Sequence, residues 1–102
     1  MEYNKLVRDN IPAIIEKQGE KANIRILNGE EYAHCLEAKL DEEVREYHTD
    51  QNVEELADIL EVVFALVENQ GISIDKLMEI YRCKHDRRGG FRERIFLISK
   101  ED

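Results

Sequence analysis

Asn52-Val53-Glu54-Glu55-Leu56-Ala57-Asp58-Ile59-Leu60-Glu61-Val62-Val63-Phe64-Ala65-Leu66-Val67-Glu68-Asn69 decides how this chain folds. Leu56, Leu60, Val63, Phe64 and Val67 recur every three or four residues, the spacing that places side chains on one stripe of an amphipathic α-helix. Asn52 is a favourable N-cap, and Glu55 three residues later completes the pattern of a capping box. Gly71 stops the helix, because glycine enters the left-handed conformation without a Cβ clash.

Upstream, Asp50-Gln51-Asn52 reads as a turn, and a second long helix runs from a cap at Asn28, with Glu31 as its box partner, to about Tyr47. Its stripe is Leu36, Leu40, Val44 and Tyr47. So short a connection makes the two long helices antiparallel neighbours. Downstream, Ser73 caps a helix from Ile74 to about His85, with Leu77, Met78 and Tyr81 inward, and Gly89-Gly90 breaks it. Near the start, Asn10-Ile11-Pro12 opens a short helix that ends at Gly19, proline being tolerated in a first turn. Two β-branched runs, Asn23–Leu27 and Arg94–Ile98, predict short strands that pair with each other. The expected fold class is mainly α: an antiparallel helical bundle with a minor two-stranded β element, in a single domain over residues 1–102.

Composition narrows the partners. Apolar residues make up 42% of the 102, too many for a disordered chain. Acids outnumber bases 23 to 15, a formal net charge of −8, so the basic field that nucleic acid requires is missing and no nucleic-acid partner is expected. No membrane partner is expected either, since the most apolar run, Ile59–Val67, is too short to span a bilayer and contains Glu61. Met1–Lys5 lacks the apolar core of a secretory signal, and Cys35 and Cys83 read as reduced thiols, so the expected localisation is cytoplasmic. His34, His48 and His85 are scattered, and no second ligand pair accompanies Cys83 and His85 at a spacing that suits zinc. A subunit this small often gains stability by oligomerising, so a homo-oligomer is expected.

The chemistry lies in two acidic motifs. Glu43-Val44-Arg45-Glu46 is preceded by Glu42, and Glu55-Leu56-Ala57-Asp58 follows after residues 47–54. Carboxylates three residues apart on a helix are neighbours on one face. Antiparallel packing brings the two pairs together, and four carboxylates in a small volume repel. No Lys or Arg occurs between Glu46 and Asp75 to offset this; the bases concentrate in Lys5–Arg25 and Arg82–Arg94. A hard divalent cation is the natural counter-charge, and Mg²⁺ takes oxygen ligands together with phosphates and water. The competing reading is a solvated acidic face, with Glu55 serving only its cap and Asp41 paired to Arg45 one turn on.

Glu43-x-x-Glu46 followed by Glu55-x-x-Asp58 resembles the ExxE…ExxD metal signature of the all-α nucleoside triphosphate pyrophosphohydrolases, the superfamily of MazG-like enzymes, dimeric dUTPases and phosphoribosyl-ATP pyrophosphohydrolase. Tyr3-Asn4-Lys5-Leu6-Val7-Arg8-Asp9-Asn10-Ile11-Pro12 and Lys84-His85-Asp86-Arg87-Arg88-Gly89-Gly90-Phe91 resemble segments of a small stand-alone, house-cleaning subgroup. The eight residues between the motifs are fewer than in many MazG-like members. The resemblance implies that Glu43, Glu46, Glu55 and Asp58 bind Mg²⁺, with Mn²⁺ as a substitute and Glu42 assisting. It implies hydrolysis of a nucleotide substrate, an NTP giving NMP and pyrophosphate, in a dimer or tetramer. Lys5, Arg8, Lys84 and Arg88 are candidates for holding the polyphosphate, because ammonium and guanidinium groups suit phosphate oxygens. Phosphoribosyl-ATP hydrolysis is the alternative within enzymes, and a non-catalytic helical oligomerisation or regulatory module is the alternative from another class.

Overall fold

The computed structural model describes residues 3–101. Four helices follow in chain order: α1 (Ile11–Lys17), α2 (Gly29–Asp50), α3 (Val53–Asn69) and α4 (Ile74–Arg88). The protein is mainly helical, and among the described residues no strand forms. None of the four helices is long and apolar enough to cross a membrane.

The caps explain where the helices begin. The Asn28 side chain accepts from the Glu31 backbone N–H at 2.9 Å, and the Glu31 carboxylate accepts from the Asn28 N–H at 3.3 Å, so α2 carries a complete capping box. The Arg25 guanidinium grips Glu31 at 2.8 and 3.0 Å and, with the Asn28 bond, holds its carboxyl down at about 2. At α3 only half of the expected box forms. Asn52 accepts from the Glu55 N–H at 3.0 Å, but the Glu55 carboxylate does not turn back to the cap. Ser73 caps α4 through the Lys76 N–H at 3.1 Å, and Gly89, at φ 77°, ends it after Arg88, three residues beyond the expected His85.

Gln51 takes a left-handed φ of 51°, and its N–H donates to the Tyr47 carbonyl at 2.8 Å, closing α2. Only Gln51 and Asn52 separate α2 from α3, so the two pack as an antiparallel hairpin, the dominant helix pair of the fold. Its centre holds Leu36 and Val62, 3% and 7% exposed, the only buried apolar residues among those described. The expected α3 stripe is rotated away from α2: Leu56 and Leu60 stay about half exposed. The flank against α2 carries Glu55, Asp58, Ile59 and Val62 instead. Two helix faces of α3 compete for cover, and α2 takes the one that brings the acidic motifs inward.

The remaining stripe looks toward α4. A cleft of 370 Å³ lined by Leu60, Val63, Phe64, Leu77, Met78 and Tyr81 lies between these helices. Helix α4 touches α3 lightly and α2 not at all, and α1 packs on no other helix.

The expected two-stranded β element is corrected by the structure. Ile24, Ile26 and Ile95–Ile98 lie outside any strand and are between 65% and 89% exposed. An isolated two-stranded pair is marginal without an apolar face to rest on, and both runs stay largely uncovered. The same shortage of cover shows in the whole molecule. Its accessible surface is 9545 Å², where a compact 12.0 kDa monomer exposes about 6,000 Å². Its radius of gyration is 18.2 Å against about 13 Å for a compact chain of this length.

Candidate metal centre

The α2–α3 hairpin register places residue 43 opposite 58 and residue 46 opposite 55. Carboxylate oxygens of Glu43, Glu55 and Asp58 lie within 4.8 Å of one another, as do those of Glu42, Glu43 and Glu46. Glu43 belongs to both groups and is the pivot of the site. Every acidic residue expected to ligate a cation, Glu42 included, is thus brought to one place. The i, i+3 spacing on each helix sets the pairs, and the two-residue connection sets their meeting.

Burial sets Glu43 apart from a solvated acidic face. Glu43 is 7% exposed, and its Oε2 has no hydrogen-bond partner. The Oε2 of Glu55 is also buried without a partner. Buried polar atoms are nearly always satisfied, so two partnerless carboxylate oxygens among crowded acids form a cluster that could take a cation as its counter-charge. Burial, then the neighbouring Glu46 carboxylate, pushes the Glu43 carboxyl above its ordinary value, against the pull of Lys39. Burial, helped by the Glu46 and Asp50 carboxylates, raises Glu55 to about 7. The donor set is all oxygen, which fits Mg²⁺ or Mn²⁺ and not a thiolate-seeking metal.

Two bases reach the cluster. Lys39, one turn before Glu43, sets its Nζ 3.4 Å from Glu42 and 3.5 Å from Glu43, and is largely covered. Arg8 donates from Nη2 to Asp58 Oδ1 at 2.6 Å, and its Nη1 lies 3.8 Å from Glu61. The segment before α1 therefore straddles the hairpin. Asn4, Lys5 and Leu6 close a 130 Å³ cavity against Cys35, Ala38, Lys39 and Glu42 of α2, while Arg8 crosses to α3. Lys5 lies at the edge of the site, with its Nζ 5.9 Å from the Tyr3 ring centroid.

Lys84 and Arg88, also expected to hold phosphate, lie exposed on the last turns of α4. They make no ion pair with the acidic cluster within the chain, and α4 does not contact α2. The expected Asp41–Arg45 pair is not among the ion pairs of the described residues. Sequence reasoning missed Lys39 and Asp50. Both were findable: Lys39 stands four residues before Glu43, and Asp50 four after Glu46, on the same helix face.

An uncharacterized protein of Mycolicibacterium smegmatis is 54% identical over 41 residues, a match that covers 40% of this chain and 42% of that protein. The chain thus spans less than half of the length of this relative. No family model matches the chain, and no solved structure matches it.

Proposed function

We propose that this chain is a Mg²⁺-dependent nucleoside triphosphate pyrophosphohydrolase with the all-α fold of the MazG-like enzymes, acting on non-canonical nucleotides. The observation that carries the reading is Glu43: buried, with an orphaned oxygen, at the meeting point of two carboxylate groups from antiparallel helices. A structural or solvated role for Glu43 and Glu55 gives no reason to leave one buried oxygen of each unpaired.

Glu43, Glu55 and Asp58 would hold the cation, with Glu42 and Glu46 joining Glu43 in the second group. Once bound, Mg²⁺ supplies charge neutralisation at the attacked phosphorus. The chain's own residues do the rest. Lys39, Lys5 and Arg8 form the positive side of the site and orient the polyphosphate. Glu46, exposed between Glu43 and Glu55, takes a proton from the attacking water. The α–β phosphoanhydride breaks, and NMP and pyrophosphate leave.

We further propose that the working form is a homo-oligomer. Support comes from the surface, more than half as large again as that of a compact monomer of this mass. The open Leu60–Tyr81 cleft and the bare Ile95–Ile98 run are the surfaces a second copy would cover. The same feature favours the second reading, a non-catalytic oligomerisation module, and that reading leaves the orphaned Glu43 and Glu55 oxygens without a purpose.

The deciding experiment measures pyrophosphate release from a panel of normal and modified NTPs and phosphoribosyl-ATP, with and without millimolar Mg²⁺. Turnover of an NTP that stops with EDTA and with Glu43→Gln supports the proposal. Turnover of phosphoribosyl-ATP alone moves the substrate to histidine biosynthesis. No turnover across the panel, with metal present, overturns the enzyme reading.

A further inference from the structure

Arg8 sits where the metal's charge is needed. It donates to Asp58 at 2.6 Å, and Asp58 offers one of the three oxygens of the Glu43–Glu55–Asp58 group. A guanidinium on that carboxylate and a divalent cation among the same three ligands draw on one negative charge, so each weakens the hold of the other. We propose that Arg8 is a resident counter-cation that competes with the divalent ion for Asp58, so that metal loading releases Arg8 and the segment before α1 to take substrate phosphate. The inference rests on the metal reading given above.

Three observations carry it. The Arg8 and Asp58 side chains are 52% and 40% exposed, and exposed ion pairs are weak enough to be exchanged. Little else ties this stretch to α3: the second Arg8 contact, to Glu61, is 3.8 Å long, and α1 packs on no helix. The freed group also has somewhere to go. Lys5 and Lys39 already line the cavity on the α2 side of the same cluster, so a phosphate beside them is within the territory the segment spans. Asp58 thereby links two binding events: the cation is held more weakly while Arg8 is in place, and Arg8 is unavailable to phosphate while the cation is absent. Such a link is reciprocal by necessity.

The test is Mn²⁺ titration calorimetry on the full chain, paired with limited trypsin cleavage after Lys5, in the segment before α1. Arg8→Ala should bind Mn²⁺ about three- to fivefold more tightly than wild type, the size expected when one exposed competing pair is removed. Arg8→Lys should fall between them, since it keeps the charge and loses the fork. Lys76→Ala, which removes an exposed positive charge from the first turn of α4, beyond the far end of α3 from Asp58, should change affinity by less than about twofold. Added Mn²⁺ should speed cleavage after Lys5 in wild type, and Arg8→Ala should show the fast cleavage without metal. Equal Mn²⁺ affinity in wild type and Arg8→Ala overturns the competition while leaving the metal site standing. Unchanged or slower cleavage after Lys5 on adding Mn²⁺ overturns the release. Absence of Mn²⁺ binding in wild type and in Arg8→Ala alike removes the metal site, and this proposal with it.

Discussion

Glu43 of α2 and Asp58 of α3 face each other across the hairpin, with carboxylate oxygens within 4.8 Å and, beside them, Glu55. Their repulsion is a standing cost of the metal-free fold, and it sets the sign of several measurements.

Millimolar Mg²⁺ should raise the melting temperature of the wild type, because a ligand that binds only the folded state stabilises it by mass action. Asp58→Asn and Glu43→Gln should each abolish that rise. Without metal, Glu43→Gln should be neutral or stabilising, by up to about 1 kcal/mol or roughly 5 °C in Tm, since it removes a buried like charge and keeps the shape. A wild type indifferent to Mg²⁺, or a Glu43→Gln protein that responds as well as wild type, ends the metal-centre reading.

The pH dependence of the metal-free protein follows from Glu55. Its carboxyl is raised to about 7 by burial and by Glu46 and Asp50, so the folded state holds this proton more tightly than the unfolded state. The resulting stability is complete below the ordinary carboxylate value and is lost as pH rises through about 7. Glu31, held at about 2 by Arg25, works the other way, its contribution fading only as pH falls toward 2. Thermal melts in EDTA should therefore show Tm falling between pH 5 and 8. With Mg²⁺ the trend should flatten or reverse, since cation binding displaces the proton. A flat EDTA profile across this range contradicts the crowding of Glu55.

The two asparagine caps should separate stability from metal response. Asn28→Ala and Asn52→Ala each remove a cap bond and should cost about 1 kcal/mol in denaturant unfolding. Only Asn52→Ala should also shrink the Mg²⁺-dependent gain, because Glu55 stands in the first turn that Asn52 fixes. Equal Mg²⁺ gains in both variants would show that Glu55 is not positioned by its cap.

The exposed α3–α4 cleft gives a test of assembly. Sedimentation at micromolar concentration should show a dimer or larger species, and Leu60→Asp or Tyr81→Asp should shift it toward monomer. Monomeric wild type with an intact Mg²⁺ response would separate the metal site from assembly.

Much of the fold was legible because its signals are local. Asn28 with Glu31, Asn52, Ser73, Gly71 and Gly89 mark helix ends through bonds and dihedral angles that span four residues or fewer. Helical period alone put Glu43 beside Glu46 and Glu55 beside Asp58, and a two-residue connection left the helices little choice but to fold back. These features belong to the sequence by itself, which also set the acidic excess and kept bases out of 47–74. Tertiary structure decided which face of α3 met α2. Two apolar-edged faces were available, and packing placed Val62 and the carboxylates inside while leaving Leu56 and Leu60 half bare. It also kept Ile24–Leu27 apart from Arg94–Ile98 and carried Arg8, fifty residues away in the chain, onto Asp58. Pairing across such separations depends on what surfaces remain uncovered once the helices have docked, and no periodicity in a linear chain records that.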